Sequence, residues 1–261
     1  MKSIEFKRIV LTLVALFVTV TSTSSVINAQ SVKLLNTYPS DSTAFTQGLE
    51  LNSCDELIIG TGLYGESKLG QLNLKNGEIE LLDTLEDNFF GEGITHTPDA
   101  LWQMTWRENT AFKRDLETYE IIDTANYEEE GWGIAYDFDR DIIWHSDGTD
   151  TLYKRDSHTF QKIGEINVIE NALKVDKLNE LEYAEGAIYA NIWYDTTIVK
   201  IDPDSGEVLA RYDVAPLLEE ELTEEELEEI DSLNGIAHIE DNRFYITGKL
   251  YPYIFEVELV D

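Results

Sequence analysis

The chain has 261 residues, of which 43% are hydrophobic and 11% aromatic, so it has enough apolar surface for a core and is not a disordered protein. Its 52 acidic residues against 19 Lys and Arg give a formal net charge of −33, which disfavours nucleic acid and anionic membrane surfaces as partners. The single cysteine, Cys54, excludes an intrachain disulfide and a cysteine-based metal cluster.

The N-terminal segment has the organisation of a secretory signal peptide. Three basic residues precede an apolar run at positions 9–20, and a Ser/Thr-rich stretch then leads to the small residue Ala29. The apolar run is short for a membrane span, although an uncleaved anchor is the alternative. We therefore predict a signal peptide over residues 1–29 and a domain over 30–261. The mature protein is expected to be secreted or periplasmic and free of the membrane.

A short motif recurs along the rest of the chain: a polar or aromatic residue, then Gly, then Leu or Ile. The second positions of the motif are 40 to 55 residues apart, and one copy has Glu in place of Gly. After each copy, apolar and alternating segments are separated by turn residues, which is typical of successive strands. The five copies are Gln47-Gly48-Leu49, Glu92-Gly93-Ile94, Trp132-Gly133-Ile134, Asn179-Glu180-Leu181 and Asn234-Gly235-Ile236.

Five copies of a four-stranded unit predict an all-β fold, a five-bladed β-propeller. The last copy ends after its third strand, at residues 254–257, so we predict that the N-terminal segment 32–35 supplies the missing strand and closes the ring. A β-sandwich with accidental spacing is the alternative.

An acidic segment at residues 217–233 interrupts the strand pattern. Eight Glu residues lie between positions 219 and 229, and Thr223 and Glu226 have the spacing of a helix capping box. We predict a short acidic helix inserted before the last blade. It is either a solvated surface helix or a lid over one face of the propeller.

The first strand of each propeller blade lines the central channel, so equivalent repeat positions form a ring. The predicted ring consists of Gln47, Glu92, Trp132, Asn179 and Asn234. A second ring, where the second strands return to the same end, consists of Leu63 or Tyr64, Trp106, Asp147, Trp193 and Lys249, with Asn191 nearby. Aromatic walls with a few convergent polar groups are typical of a small-ligand site. The Gly after each ring residue is predicted to allow close packing around the axis.

Glu92 is the most informative residue of these rings. A carboxylate in a narrow, aromatic channel is expected to have a raised pKa and a role in proton transfer. The four His residues share no metal-ligand spacing, so no metal site is predicted.

Several segments, spread over the whole predicted mature chain, resemble as a set the motifs of a known family. They include Ala44-Phe45-Thr46-Gln47-Gly48-Leu49, Phe90-Gly91-Glu92-Gly93-Ile94-Thr95, Thr105-Trp106, Glu130-Gly131-Trp132-Gly133, Asn179-Glu180-Leu181-Glu182, Ala190-Asn191-Ile192-Trp193, Leu233-Asn234-Gly235-Ile236 and Thr247-Gly248-Lys249. The family is that of the plant and bacterial glutaminyl-peptide cyclotransferases, metal-independent five-bladed propellers that convert N-terminal Gln to pyroglutamate and release ammonia.

This resemblance implies an enzyme without metal or other cofactor, whose partners are peptides or proteins with an N-terminal Gln. It implies that Glu92 is the catalytic acid/base and that six residues shape the substrate pocket: Gln47, Trp106, Trp132, Asn191, Trp193 and Lys249. The chain departs from the family at Ser40, where His is common, and at Tyr251, where Trp is common; both departures concern peptide preference. We also expect a monomer.

The implied reaction is an intramolecular aminolysis, in which the substrate's amine attacks its own side-chain amide. Glu92 would carry the proton between the two nitrogens, and Gln47, a Trp indole or Lys249 would stabilise the oxyanion. Lys249 could instead form a structural ion pair with Asp147 or Glu92.

Two other functions remain open. One is a calcium-dependent propeller lactonase or esterase, with the oxygens of Gln47, Glu92, Asn179 and Asn234 around an axial ion. The other is a non-catalytic binding propeller.

Overall fold

The computed structural model describes residues 30–261, and the predicted signal peptide lies outside the described residues. Within residues 30–261 the chain forms five four-stranded sheets, one two-stranded sheet and two short helices. The prediction of an all-β, five-bladed propeller is confirmed. No helix in this part of the chain is long and apolar enough to cross a bilayer.

The strands follow one another along the chain, except that the first strand, β1 (Ser31–Pro39), belongs to the last blade. Blade 1 consists of β2 (Thr46–Leu51), β3 (Leu57–Thr61), β4 (Lys68–Leu72) and β5 (Ile79–Thr84). Blade 2 consists of β6 (Gly91–His96), β7 (Leu101–Thr105), β8 (Thr110–Arg114) and β9 (Ile121–Asn126). Blade 3 consists of β10 (Ile134–Asp137), β11 (Ile142–Ser146), β12 (Thr151–Asp156) and β13 (Lys162–Asn167).

The second half of the chain adds elements between the blades. A small hairpin, β14 (Ile169–Glu170) and β15 (Leu173–Lys174), was not predicted. Blade 4 consists of β16 (Leu178–Ala184), β17 (Ala187–Ile192), β18 (Thr197–Ile201) and β19 (Val208–Asp213). The helices α1 (Ala215–Glu221) and α2 (Glu224–Glu229) come next. Blade 5 consists of β20 (Leu233–Glu240), β21 (Arg243–Gly248) and β22 (Tyr253–Val260), with β1 outside them.

The innermost strands, β2, β6, β10, β16 and β20, contact one another around the central channel. In four of these strands the pairing with the second strand of the blade shifts register at the repeated motif. The shifts fall between Thr46 and Gly48, Gly91 and Ile94, Leu178 and Leu181, and Leu233 and Ile236. Bulges of this kind re-aim a side chain that regular alternation would point elsewhere. The shifts therefore occur at the same positions as the ring residues, whose side chains the motif directs to the channel.

The glycines of the motif allow the innermost strands to approach closely. A Cβ atom on Gly133 would lie 2.1 Å from the carbonyl oxygen of Asn179, and one on Gly48 would lie 2.6 Å from the backbone nitrogen of Ile94. Real Cβ atoms do not tolerate such distances to backbone, so the prediction of close packing around the axis is confirmed.

The ring is closed by the two ends of the described chain. Strand β1 pairs antiparallel with β22 from Ser31 opposite Val260 to Pro39 opposite Tyr253. The N-terminal segment therefore supplies the missing strand, as predicted, and the strand is longer than the predicted residues 32–35. Glu256 of β22 strengthens the junction, since one of its oxygens accepts hydrogen bonds from Asn36 and Tyr38 at 2.8 Å each.

The acidic insertion differs from the single helix predicted over 217–233. It forms two helices, α1 and α2, because Leu222 is extended and buried, and Thr223 begins a new helix with the predicted capping box to Glu226. Leu217, Leu218 and Leu222 pack into the hydrophobic core shared by blades 4 and 5. The insertion is thus anchored by its leucines, while most of its Glu side chains remain exposed.

Candidate active site

A cavity of about 250 Å³ opens at the end of the channel where the innermost strands begin and the second strands end. Six of the predicted site residues line it: Gln47, Glu92, Trp106, Trp132, Trp193 and Lys249. The other lining residues are Phe45, Leu63, Phe90, Asn179, Tyr194 and Asp231. The space suits a single amino-acid side chain, because pockets for larger ligands have volumes of about 300 Å³ or more.

Gln47 and Glu92 are connected by a chain of buried hydrogen bonds. The backbone N–H of Glu180 donates to Asn234 Oδ1 at 3.4 Å, and Asn234 Nδ2 donates to Gln47 Oε1 at 3.1 Å. Gln47 Nε2 in turn donates to Glu92 Oε1 at 3.2 Å. Because its oxygen is already an acceptor, the amide of Gln47 is held with its NH₂ group toward Glu92.

Glu92 is only 5% exposed, at the base of the aromatic cavity. Burial raises the pKa of this carboxyl well above its usual value, and the nearby carboxylates of Glu108 and Glu130 raise it further. The positive charge of Lys249 acts in the opposite direction. A carboxylate in this environment accepts a proton more readily than an ordinary one does, which agrees with the predicted raised pKa.

Lys249 follows β21 and is 5% exposed. Its Nζ lies 4.8 Å from the ring centroid of Phe45. Burial lowers the pKa of Lys249, while Glu92 and Asp231 raise it. The overall shift of this pKa is downward, and the charged form that the cavity can hold there depends on the nearby carboxylates of Glu92 and Asp231.

The structural ion pair considered for Lys249 is not formed. Ion pairs within the described part of the chain do not include Lys249. Asp147, which was predicted to belong to the second ring, is not a cavity residue. Its carboxylate instead accepts hydrogen bonds from Thr149 and Tyr153, because it closes the turn that follows β11.

Glu130 holds two of the tryptophan walls. Its Oε2 accepts the indole N–H groups of Trp106 at 2.9 Å and Trp132 at 3.2 Å, and its Oε1 accepts from Arg107 Nε at 3.0 Å. Burial raises the pKa of Glu130, but hydrogen bonds from these three residues outweigh burial and lower it overall. Glu130 is thus an ionised anchor between two blades.

Other contacts complete the walls. Trp132 packs edge-to-face against Trp193, with ring centroids 5.2 Å apart. Gly148, at φ +80°, lies so close to the Trp132 indole that a Cβ atom there would be 2.6 Å from the ring. On the opposite side, Glu108 accepts hydrogen bonds from the Tyr64 hydroxyl at 2.8 Å and the Phe90 backbone at 3.1 Å.

Asn191 and Asn234 have places different from those expected, whereas the alternative between Leu63 and Tyr64 is decided. Asn191 is fully buried behind the cavity, where its Oδ1 accepts the Gly235 N–H at 2.9 Å, so it supports β20 and does not line the space. Asn234 orients Gln47 from behind. Of Leu63 and Tyr64, Leu63 is the lining residue, whereas Tyr64 is 50% exposed.

A groove of about 700 Å³ lies next to the cavity, beside the acidic helices, and the two spaces share the lining residues Tyr194 and Asp231. Leu218, Leu227 and Ile230 give the groove an apolar side. It provides room for a chain that extends from the cavity.

A calcium-binding arrangement is not favoured by these contacts. The amide oxygens of Gln47 and Asn234 already accept hydrogen bonds from protein groups. Among residues 30–261, no group of three or more His, Cys, Asp or Glu side chains is arranged to hold a metal ion.

Comparison with known proteins gives concordant results. The family model for glutamine cyclotransferase matches residues 9–259. A glutaminyl-peptide cyclotransferase of Arabidopsis thaliana is 35% identical over 230 residues, which are 87% of this chain and 71% of that protein. The crystal structure of Myxococcus xanthus glutaminyl cyclase matches with a TM-score of 0.77 and 31% identity, covering 89% of this chain and 99% of that one.

A more distant match shows the fold alone. It is a Bacteroides thetaiotaomicron protein of unknown function with 10% identity and a TM-score of 0.56, covering 88% of this chain and 76% of that one.

Proposed function

Because the chain belongs to the glutamine cyclotransferase family, we propose that it is a glutaminyl-peptide cyclotransferase, which converts the N-terminal Gln of peptides or proteins to pyroglutamate and releases ammonia. The observation that carries the proposal is the buried Glu92 carboxyl, which faces a cavity the size of one side chain, walled by three Trp and accompanied by a cation.

The cavity would take the Gln residue, and the adjoining groove would take the residues that follow it. The indoles of Trp106, Trp132 and Trp193 would enclose the short side chain and exclude water, which favours cyclisation over hydrolysis. Enclosure also holds the amine near the amide carbon, so that the attack is effectively unimolecular.

The reaction forms a bond between the α-nitrogen and Cδ of the substrate and breaks the bond between Cδ and Nε2. The Glu92 carboxylate accepts the proton that the attacking amine loses and returns it to the departing nitrogen, which leaves as ammonia. A raised pKa suits this role, because the carboxyl must hold the proton between the two transfers.

The oxyanion on Cδ needs a hydrogen-bond donor or a positive charge. Lys249 supplies a charge, and the side-chain amides of Asn179 and Gln47 also face the cavity. The indole N–H groups of Trp106 and Trp132 donate to Glu130 instead, which leaves Trp193 as the indole donor to consider.

The direct test is an ammonia-release assay on the dipeptide Gln-Ala, with the product identified by mass. Asn-Ala is the matched control, because its amide is one methylene too short to form the five-membered ring. Ammonia from Gln-Ala alone is the expected result. Binding of Gln-Ala without ammonia release would favour the non-catalytic propeller.

The signal peptide at residues 1–29, secretion and a monomeric state belong to the same proposal. For the signal peptide and secretion, the support is the basic and apolar pattern of the N-terminus, which ends at the small residue Ala29. Recovery of the protein from the extracytoplasmic fraction tests secretion, and its N-terminal sequence tests cleavage of the signal peptide. Its native mass in solution tests the monomeric state.

We expect activity to survive prolonged treatment with EDTA, because the proposed steps use only side chains of the chain itself. The measurement is the rate of ammonia release before and after dialysis against the chelator. Loss of activity that a divalent ion restores would instead favour the calcium-dependent lactonase or esterase type of site.

The rising limb of kcat/KM with pH should follow the substrate's amine. An α-amine has an ordinary pKa of about 7.7 to 8.0, and only its neutral form attacks. When the second residue of a Gln peptide changes the pKa of the α-amine, the rising limb of kcat/KM should therefore move along the pH axis by the same number of pH units. A limb that stays at one pH for every peptide would mean that ionisation of Glu92, whose pKa is raised, controls the rate.

Replacing Glu130 by Ala should raise KM for Gln-Ala by about tenfold and lower kcat less, because two cavity walls lose their common anchor while Glu92 stays in place. Glu128→Ala is the matched control, since Glu128 is an exposed carboxylate of the same acidic run. Equal kinetics for the two variants would contradict the anchoring role.

A further inference from the structure

The residue that directly follows the predicted cleavage point Ala29 is a glutamine, Gln30. Cleavage there would give the mature chain an N-terminal Gln, the residue on which the proposed activity operates. We propose that Gln30 is a modification site: a second molecule of this protein cyclises it to pyroglutamate. The inference rests on the proposed function and on cleavage after Ala29.

Gln30 lies at the outer rim of the propeller, far in the fold from the cavity. It forms a parallel bridge with Tyr212 of β19, the outermost strand of blade 4, and its Oε1 accepts the Arg211 N–H at 3.0 Å. The next residue, Ser31, begins the outermost strand of blade 5. The cavity is built on the innermost strands, so Gln30 cannot reach it without removing β1. The reaction must therefore occur between two molecules.

The contacts of Gln30 are compatible with the product. Cyclisation forms the bond from the α-nitrogen to Cδ and breaks the bond from Cδ to Nε2, and ammonia leaves with both Nε2 hydrogens and one proton from the amine. Oε1 remains as the lactam carbonyl oxygen, so the acceptor atom that Arg211 uses is not lost. Within the described residues, Nε2 takes part in no hydrogen bond. The atom that the fold uses is thus retained, and the atom that is lost is unused.

Gln30 can be presented to another molecule at small cost. Among residues 30–261, the pairing contacts and hydrogen bonds of Gln30 are the bridge to Tyr212 and the bond from Arg211, because the continuous pairing of β1 begins at Ser31. Chain ends held by so few contacts open readily. Two copies of a chain with a formal charge of −33 repel each other, so added salt should accelerate this reaction.

The test uses the Glu92→Gln variant as substrate, expressed with its signal segment and recovered after secretion. A small amount of the wild-type protein serves as the enzyme. After its mature N-terminus is confirmed to be Gln30, ammonia release and the mass of the N-terminal peptide are followed. We expect loss of one ammonia per chain, at a rate above that of the variant alone by about tenfold or more. The additional substitution Gln30→Asn should abolish it, because the shorter side chain cannot close a five-membered ring.

Each other outcome overturns the inference. One is a wild-type protein that releases ammonia from Gln-Ala but leaves Gln30 unchanged, in which case the proposed function still stands. Equal rates with and without wild-type protein would show spontaneous cyclisation, and a mature chain that begins elsewhere would remove the site. No ammonia from Gln-Ala would instead refute the proposed function itself. A synthetic peptide with the sequence of residues 30–38 gives the same comparison if the Glu92→Gln variant does not fold.

Discussion

Turnover of Gln-Ala should fall by about 10² to 10⁴ when Glu92 is replaced by Gln, which is the usual contribution of a positioned acid/base. The substitution keeps the size of the side chain and an oxygen that can accept the bond from Gln47 at 3.2 Å, but it removes the group that carries the proton. KM should change little, because the aromatic walls remain. Steady-state ammonia release measures both constants.

Glu182→Gln is the matched control for this variant. Glu182 is also a buried carboxyl of an innermost strand with a pKa raised well above the usual value, first through burial, but it does not line the cavity. We expect Glu182→Gln to retain most of the turnover. If the two variants lose the same activity, or if Glu92→Gln keeps nearly all of it, Glu92 is not the proton carrier.

Lys249→Met should lower kcat/KM by about 10² to 10³, comparable with the loss of one oxyanion donor. The cation has a second effect, because it lowers the pKa of Glu92 against the effect of burial. Without it that pKa rises further, so the variant should need a higher pH than the substrate's amine alone requires, whereas the rising limb of the wild type follows that amine. Rate profiles of the wild type and the variant measure both effects.

Lys113→Met is the control for a general effect of removing a lysine. Lys113 is also largely buried, and it pairs with Asp99 at 2.9 Å on blade 2, away from the cavity. Thermal melting of both variants separates stability from catalysis. A large loss of stability in Lys249→Met with preserved kinetic constants would show that Lys249 is structural.

Most of the fold could be predicted from the sequence because the blades repeat. The Gly of the motif is needed where the backbones of neighbouring innermost strands nearly touch. The recurrence of Gly in the sequence therefore predicts the close packing of these strands around the axis. The break at Leu222 was not predicted, because eight Glu between positions 219 and 229 suit one continuous helix as well as two. Tertiary burial of Leu222 decides between them.

The candidate site was predictable where its residues occupy repeat positions. Gln47, Glu92 and Trp132 line the cavity because the ring positions converge on one end of the channel. Glu130 and Glu108 were missed, because a carboxylate that holds indole or backbone N–H groups has the same sequence pattern as any exposed acidic residue. Asn191 was placed in the pocket by resemblance, and only the three-dimensional contacts show that it lies behind the wall.

The seam between β1 and β22 has a consequence for how the chain folds. Blades 1 to 4 form from strands that are neighbours in sequence, whereas blade 5 joins segments separated by nearly the whole chain. Bringing such distant segments together costs loop-closure entropy, and pairings of this kind form late. A growing polypeptide therefore lacks the partner for its own first strand, and the native ring cannot exist until the last strand is available.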